Sequence, residues 1–302
     1  MEYKQLPDLK ALATLRAVVE LGGVEEAGRV LNVGQPAVTK RLRALDDSYG
    51  VTLMQRKGRK LTLTTAGERV YTYARLVLDH QGMLLEDLKS MREGQNRLRL
   101  ETTFAIGEHL LPDLLLQFDE AYPQYRVQSR MRYSRRIQTH LATGLADLAL
   151  MEQAPDHPDI LVQKWLDDEL ILVCGPTHPL WGSGLIPVEQ LTQLRYVLRE
   201  PQASMRITLD AALRKIAIPE VPVAMEVGST DTIVEMLGRG RHVSFLPWFA
   251  VRDEIERGRL YHIKVTGFRI LRTLWIARHR SNVNHPVAEA FIALLRQVKE
   301  KR

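Results

Sequence analysis

LNVGQPAVTKRLRALDDSYG, residues 31–50, carries apolar side chains at Val38, Leu42 and Leu45. That i, i+4, i+7 spacing makes one stripe on a helix. Gln35, Thr39, Lys40 and Arg43 lie off the stripe, Asn32, Gly34 and Pro36 sit before it, and Gly50 follows it. The predicted helix is therefore short and sharply bounded, and Pro36 suits its first turn, where a missing N–H does no harm. Its polar face has to be explained by whatever it meets.

The flanks supply the context. Asp8 can cap a first helix whose apolar face is Leu9, Leu12, Leu15, Val18, Val19 and Leu21, and Gly22 and Gly23 end it. A second helix is expected over 24–31, and Asn32, Val33 and Gly34 leave only a tight turn before the third. Three helices so spaced make a helix-turn-helix. Downstream, VTLMQRKGRKLTLT (51–64) reads as strands 53–56 and 60–63 about Gly58, a basic wing. Thr65, Ala66, Gly67 and Glu68 fit a capping box opening a helix that runs to about residue 93. Its stripe of Val70, Ala74, Val77, Leu84, Leu85, Leu88 and Met91 exceeds what one small domain covers, so it reads as a linker and dimerisation helix closed by Gly94, Gln95 and Asn96.

Length and composition set the frame. The chain has 302 residues, enough for two domains, with 45% apolar and 26% charged residues, as in soluble globular proteins. No apolar run nears the roughly 18 residues of a membrane span. MEYKQLPDLKALATL mixes acids with bases and has no signal-peptide cleavage site, so a cytoplasmic protein without membrane contact is expected. Cys174 is the one cysteine, which excludes an intrachain disulfide, and its setting LILVC predicts a buried strand thiol. The net charge is +6, of which +4 falls in residues 1–60. Over 34–60, Lys40, Arg41, Arg43, Arg56, Lys57, Arg59 and Lys60 oppose only Asp46 and Asp47. A local basic patch is the footprint of a phosphate backbone, although a solvated face has the same composition.

In a helix-turn-helix the off-stripe residues of the third helix enter the major groove. Gln pairs bidentately with adenine, and Arg or Lys with guanine. Gln35, Thr39, Lys40 and Arg43 are thus candidate readers, with Pro36 and the small Ala37 allowing close approach. Arg56, Lys57, Arg59 and Lys60 on the wing are candidates for phosphates or the minor groove.

From Arg97 the pattern alternates between strand-like and helix-like runs: LRLETTF, then 108–122, YRVQSRMRY, 135–143 and ADLALM. ELILVC, RYVLR, 205–216, VPVAMEV, 230–237, HVSFLP, LYHIKV, RTLWIAR and a last helix over 286–301 follow. Such alternation predicts a mostly parallel sheet covered by helices on both faces, long enough for two lobes. Hydroxyls gather where strands hand over to helices: Thr102 and Thr103, Ser134, Ser204, Ser229 and Thr230. Open α/β sheets bind ligands beyond those strand ends, where helix N-termini favour anions. Each hydroxyl taken alone is an ordinary helix cap. Arg130, Arg132, Arg135 and Arg136 are near in sequence, but strand alternation lets only some face a cleft. Phe104, Met151, Phe245 and Trp248 would wall a cleft or pack a core.

Enzyme signatures are missing from the sequence. Nine histidines show no metal-ligand spacing, and His157, His178 and His285 each precede proline. GRGRHV (238–243) lacks the third glycine of a dinucleotide fingerprint and leads into a strand, and neither a P-loop nor a G-x-S-x-G occurs. No catalytic residue, cofactor or metal is expected.

AGRVLNVGQPAVTKRLRALDDSYGVTLMQRKGRKLTLTTAGERVYTYA (27–74) resembles the N-terminal signature of LysR-type transcriptional regulators. LLPDLLLQFDEAYPQYRV, LATGLADLAL, THPL and MLGRGRHVSFLP are similar to segments of that family's effector domain, in the same order. The chain departs from the pattern at Gly34, Thr39 and Asp46, where Ser, Ser and Glu are usual, at Met54 for Phe, and at Gly23 and Gly28 for Ser and Ala. The change at Gly34 removes a hydroxyl that usually meets phosphate. The resemblance implies α/β with an N-terminal winged helix-turn-helix, a long linker helix and a C-terminal two-lobed α/β effector domain similar to type 2 periplasmic binding proteins. The expected boundaries are 1–63, 64–94 and 95–302. It implies a sequence-specific transcriptional regulator, not an enzyme. The expected effector is an anion or carboxylate held at Thr102, Thr103, Phe104, Ser134, Ser204, Ser229 and Thr230. The expected partners are an interrupted palindrome of double-stranded DNA, further copies of the chain in a dimer or tetramer, and RNA polymerase.

Overall fold

Helix α1 (Leu9–Leu21) starts where the Asp8 carboxylate accepts the Lys10 amide at 3.1 Å and stops at Gly22, whose φ of +79° is left-handed. Helices α2 (Val24–Val30) and α3 (Gln35–Tyr49) follow. This is a computed structural model; it describes residues 7–57, 60–92 and 96–300. Gly58, Arg59, Gly94 and Gln95 lie outside the described residues, as do the side chains of Lys57, Lys60 and Met91. The chain divides into two compact units, Met1–Glu93 and Gly94–Arg302.

In the first unit Leu12, Leu15 and Val18 of α1 bury against Val38 and Leu45 of α3, with Leu42 packed beside them. Leu9 and Leu21, expected on that face, are exposed at the ends of α1. Glu25 and Glu26 pair with Arg29 at 2.8 and 3.6 Å. Glycine costs about 1 kcal/mol against alanine inside a helix, but a Cβ on Gly28 would stand 2.8 Å from the Val33 carbonyl oxygen. The glycine lets the turn fold back onto α2.

Strands β1 (Met54–Lys57) and β2 (Lys60–Leu63) pair antiparallel, Met54 opposite Leu63 and Lys57 opposite Lys60. The first begins one residue later than the sequence suggests, because Leu53 is drawn into the core and its N–H donates to Asp46 Oδ1 at 2.9 Å. The cap of the long helix α4 (Thr65–Arg92) also sits one residue from its expected place: Thr64, not Thr65, accepts the Gly67 amide at 3.0 Å. Thr64 N–H in turn donates to the Leu53 carbonyl at 2.9 Å. The first half of α4 packs Val70, Ala74, Val77 and Leu78 on α1, and Asp79 meets Arg16 at 2.8 Å. Beyond it Leu84, Leu85 and Leu88 are about half exposed. Asn96 does not close this helix; it opens the next strand.

The second unit opens with β3 (Asn96–Thr102), α5 (Phe104–His109), α6 (Leu111–Ala121), β4 (Tyr125–Met131), α7 (Ser134–Ala142) and β5 (Leu148–Met151). The single helix expected over 108–122 is two, meeting at Leu110. Next come β6 (Ile160–Cys174), β7 (Leu185–Ile186), β8 (Tyr196–Leu198), α8 (Ser204–Lys215), β9 (Val223–Glu226) and α9 (Thr230–Arg239). The chain closes with β10 (Val243–Pro247), α10 (Trp248–Glu256), β11 (Tyr261–Val265), β12 (Ile270–His279) and α11 (Pro286–Glu300). Helix α10 is not among the elements expected from the sequence.

One sheet of order β4-β3-β5-β12-β6-β10-β8-β9 spans the unit, with β11 beside β6 and β7 paired to the other edge of β11. Strands β3, β4 and β5 are parallel in one lobe, and β8, β9 and β10 in the other. The expectation of a mostly parallel sheet is corrected at the middle. Strands β6 and β12 run antiparallel to each other and to their outer neighbours β10 and β5. The chain crosses from lobe to lobe along β6 and returns along β12, which forces the reversal. Each lobe has its own core, around Leu172, Phe245 and Leu237 in the second and around Leu100, Phe118 and Phe291 in the first.

A Cβ on Gly67 would stand 1.9 Å from the Leu53 carbonyl oxygen, a backbone atom tied to the wing. Gly67→Ala is expected to lower stability by about 1–3 kcal/mol, the usual cost of overpacking. Urea unfolding followed by far-ultraviolet circular dichroism measures it; an unchanged midpoint would mean the approach is not tight.

Candidate DNA-reading face and interlobe cleft

Burying Val38, Leu42 and Leu45 leaves the other side of α3 free. Gln35, Pro36, Thr39, Lys40 and Arg43 border one open hollow on that side, together with Ala44 and Asp47. All of the sequence's α3 candidates therefore share a face, as their spacing requires. Arg41 is turned away and donates to Thr14 Oγ1 at 3.5 Å. Of the two acids, Asp46 is engaged by the Leu53 amide, while Asp47 stays on the reading side. Gly34 caps α3 without a side-chain bond. On the wing Arg56 is exposed.

The second site lies where the lobes meet. From the first lobe come Thr103 and Phe104, at the start of α5, Arg132 and Tyr133, just after β4, and Glu152, just after β5. From the second come Arg199, after β8, and Ala203, Ser204 and Met205, at the start of α8. The free volume between them is about 10 Å³, room for one water. The lobes are closed on each other. Ser134 Oγ and Ser204 Oγ are 2.7 Å apart, Tyr133 OH donates to Glu200 at 2.8 Å, and Thr230 N–H meets Glu108 at 3.3 Å.

Charge in the cleft is mostly paired. Arg199 is 2% exposed. Its Nε and Nη2 grip Glu200 at 2.9 and 2.8 Å, Nη1 donates to Thr230 Oγ1 at 3.3 Å, and the guanidinium lies 5.1 Å over the Phe104 ring. Burial pushes the Glu200 carboxyl up, but Arg199, a backbone amide and Tyr133 outweigh it and hold the group below the usual carboxylate range. The hydrogen bond to Glu200 raises the Tyr133 phenol in turn. At the crossing strands Arg272 binds Glu152 at 2.6 Å and Asp168 at 2.7 Å, all three buried. Burial raises the Asp168 carboxyl, with Arg272 working against it. Arg132 is the exception: among the described residues no carboxylate pairs with it, and its buried Nε has no partner.

Thr103, Phe104 and Ser204 line the cleft, and Ser134 bonds Ser204. Thr230 is held by Arg199, and Ser229 donates to Glu108 at 3.4 Å. Thr102 is fully buried with Oγ1 unpartnered. Only Ser229 makes a side-chain cap bond to its helix, so an ordinary cap does not account for the rest of the set. Met151 and Phe245 pack in the two cores, and Trp248 stands at the exposed start of α10. Arg130, Arg135 and Arg136 are exposed. The sequence reading missed Glu152, Arg199 and Glu200. All three follow the last residue of a buried strand within two positions, so the strand-end rule applied to charges as well as hydroxyls would have found them.

A winged helix-turn-helix followed by a two-lobed α/β domain with a polar cleft defines a transcriptional regulator with an effector-binding domain. Residues 9–68 match the bacterial regulatory helix-turn-helix protein model of the lysR family, and 92–300 match the LysR substrate binding domain. The chain belongs to the LysR family of transcriptional regulators. It is 29% identical over 255 residues to the HTH-type transcriptional regulator YeiE of Escherichia coli K12, covering 84% of this chain and 85% of that one. Full-length CbnR complexed with its target DNA superposes with a TM-score of 0.73 at 20% identity, over 96% of this chain and 99% of that one. The CcmR regulatory domain of Synechocystis PCC6803 in complex with 2-PG superposes at 0.62 and 24% identity, over 68% and 97%. No helix among the described residues is long and apolar enough to cross a membrane.

Cys174 is fully buried on β6, and burial pushes its thiol up to about 11. The thiolate is the reactive form. Iodoacetamide at neutral pH is expected to label the native chain far more slowly than the urea-unfolded chain; equal rates would place the thiol at the surface.

Proposed function

We propose that this regulator binds an interrupted palindrome of duplex DNA as a symmetric dimer or tetramer, and that a small anionic effector seated between the lobes controls it. The observation that carries the DNA half is the single exposed face of α3, where Gln35, Thr39 and Arg43 stand in one row and Pro36 and Lys40 in the next. Helical spacing lets such a row follow base edges along a major groove. Arg56, Lys57 and Arg59 of the wing take phosphates, as does Lys40. The half-exposed Leu84, Leu85 and Leu88 of α4 support self-association through that helix.

The effector half rests on the cleft residues. Among the described residues Arg132 has no acid partner, and the buried hydroxyl oxygens of Thr102 and Thr103 have no hydrogen-bond partner. Buried polar groups are normally satisfied, so an anion that accepts from them fits the cleft better than an apolar ligand does. The effector contacts proposed are Thr103, Phe104, Ser134, Ser204, Ser229 and Thr230, with Thr102 supporting them from below. The complex of the related CcmR domain with 2-PG supports a small-molecule effector in this fold. Its binding shifts the balance between lobe arrangements, which alters the spacing of the DNA-reading units.

Two substitutions test the DNA half on a selected operator. Arg43→Ala is expected to relax the preference at one base position, at about 1–3 kcal/mol for a bidentate contact. An equal loss on every sequence would make it a phosphate contact only. Arg56→Ala is expected to weaken all sequences alike and to lower the salt slope by about one; an unchanged slope would remove the wing from the interface.

A further inference from the structure

The first lobe ends three neighbouring strands in three different chemistries. Arg132 follows the last residue of β4, Thr103 follows that of β3, and Glu152 follows that of β5. Strand β3 lies between the other two; the ends of β3 and β4 are level, and β5 runs one residue further, which sets Glu152 one position beyond Arg132 and Thr103. Thr102 pairs with Met131 on one side and Leu150 on the other, Arg132 N–H donates to the Thr102 carbonyl at 2.9 Å, and Thr103 N–H donates to that of Leu150 at 3.2 Å. The cleft floor therefore presents a cation, a hydroxyl and a carboxylate on three adjacent strand ends.

Of the two outer charges, Arg132 has no carboxylate among the described residues, and Glu152 shares its one guanidinium with Asp168. Glu200 answers Arg199. Asp168 takes Arg272 Nε at 2.7 Å, and the backbone amides of Glu169 and Phe249 act with it to pull the carboxyl down against burial. Glu152 has only Arg272 Nη1, on Oε1. Its Oε2 has no hydrogen-bond partner among the described residues, and one guanidinium serves two carboxylates, so a negative charge is in excess at this end. At the other end Arg132 has no carboxylate among the described residues, and between them Thr103 Oγ1 is buried with no partner among them. A ligand carrying only negative charge would satisfy Arg132 and meet repulsion at Glu152.

We propose that the effector is a small zwitterion of the α-amino-acid type. Its carboxylate is held by Arg132 and the Thr103 hydroxyl, and its ammonium by Glu152. Strands β4 and β5 are two spacings apart across β3, about 10 Å between backbones, and both side chains line the cleft between them. A ligand with one carbon between its two charges is short enough to reach both with a hydrogen bond of about 2.8 Å at each end. The space in the closed arrangement is room for one water, so Ala203 and Ser204 of the second lobe draw back to admit the ligand and then close over its side chain. This rests on the anionic-effector reading and narrows it, since a carboxylate is still one of the two groups recognised.

The test is a thermal-shift panel on the full chain. Each L-amino acid is paired with the 2-hydroxy acid of the same skeleton, and phosphate, sulfate and succinate are added. The expected result is a raised Tm with at least one amino acid and none with its 2-hydroxy partner. Titration calorimetry of that amino acid should show a loss of about 10- to 100-fold in affinity for Arg132→Gln and for Glu152→Gln, the usual effect of removing a charged hydrogen-bond partner. Glu152 also holds Arg272, so Arg132→Gln decides if Glu152→Gln does not fold. A 2-hydroxy acid, succinate or an oxyanion that raises Tm as much as any amino acid overturns the zwitterion and leaves the anionic effector standing. No response to any member of the panel overturns both.

Discussion

The antiparallel pairing of β6 with β12 is the constraint on which the second unit depends. It runs from Leu170 opposite Ile270 to Ile160 opposite His279, with one shift at Leu274/Trp275. Because both strands pass through both lobes, the lobes share one sheet and cannot separate without breaking its central ladder. Asp168 and Arg272 are opposite each other in that ladder, and Glu152 reaches the same guanidinium from β5. A buried pair contributes little net stability, but removing one member leaves an uncompensated charge at a cost of several kcal/mol. The charge balance of the crossing and that of the cleft thus meet in Glu152. A ligand that touches its free oxygen acts on the strands that join the lobes.

In the first unit the corresponding constraint is smaller. One helix must be covered on one side and bare on the other. Val38 and Leu45 are fully buried while Gln35, Pro36, Lys40 and Arg43 remain open. Gly28 and Gly67 serve the same end at either side of the reading helix. Each lets a backbone carbonyl approach where a methyl would collide, and so fixes the turn before α3 and the start of α4.

Much of this was legible in the chain, for identifiable reasons. The helix-turn-helix shows because local periodicity, capping and glycine positions all point the same way. The shifts at β1 and at the α4 cap were hidden because they come from Asp46 and Leu53, seven residues apart, and from no local propensity. The antiparallel crossing was hidden because ELILVC, buried on both faces, reads the same in either strand direction. In the cleft, hydroxyls at strand ends were visible as a repeated pattern. Glu152, Arg199 and Glu200 were not, since a single charge after a strand is unremarkable until folding shows which charges lack partners. Arg132 was seen with three neighbours that the fold leaves at the surface.

The Asp46 carboxylate, by accepting the Leu53 amide, ties the last turns of α3 to the entry of the hairpin. Thr64 and Gly67 then tie the far end of the hairpin to α4 through the Leu53 carbonyl. In the proposed complex the helix set at base edges and the hairpin set at the backbone are thereby held at a fixed separation, like the jaws of a set gauge. When a duplex has a groove that does not match the gauge, the adjustment falls on the nucleic acid. Flexible pyrimidine–purine steps adapt cheaply and stiff adenine tracts do not. Sequence that no side chain touches then enters the choice of operator through its bending stiffness.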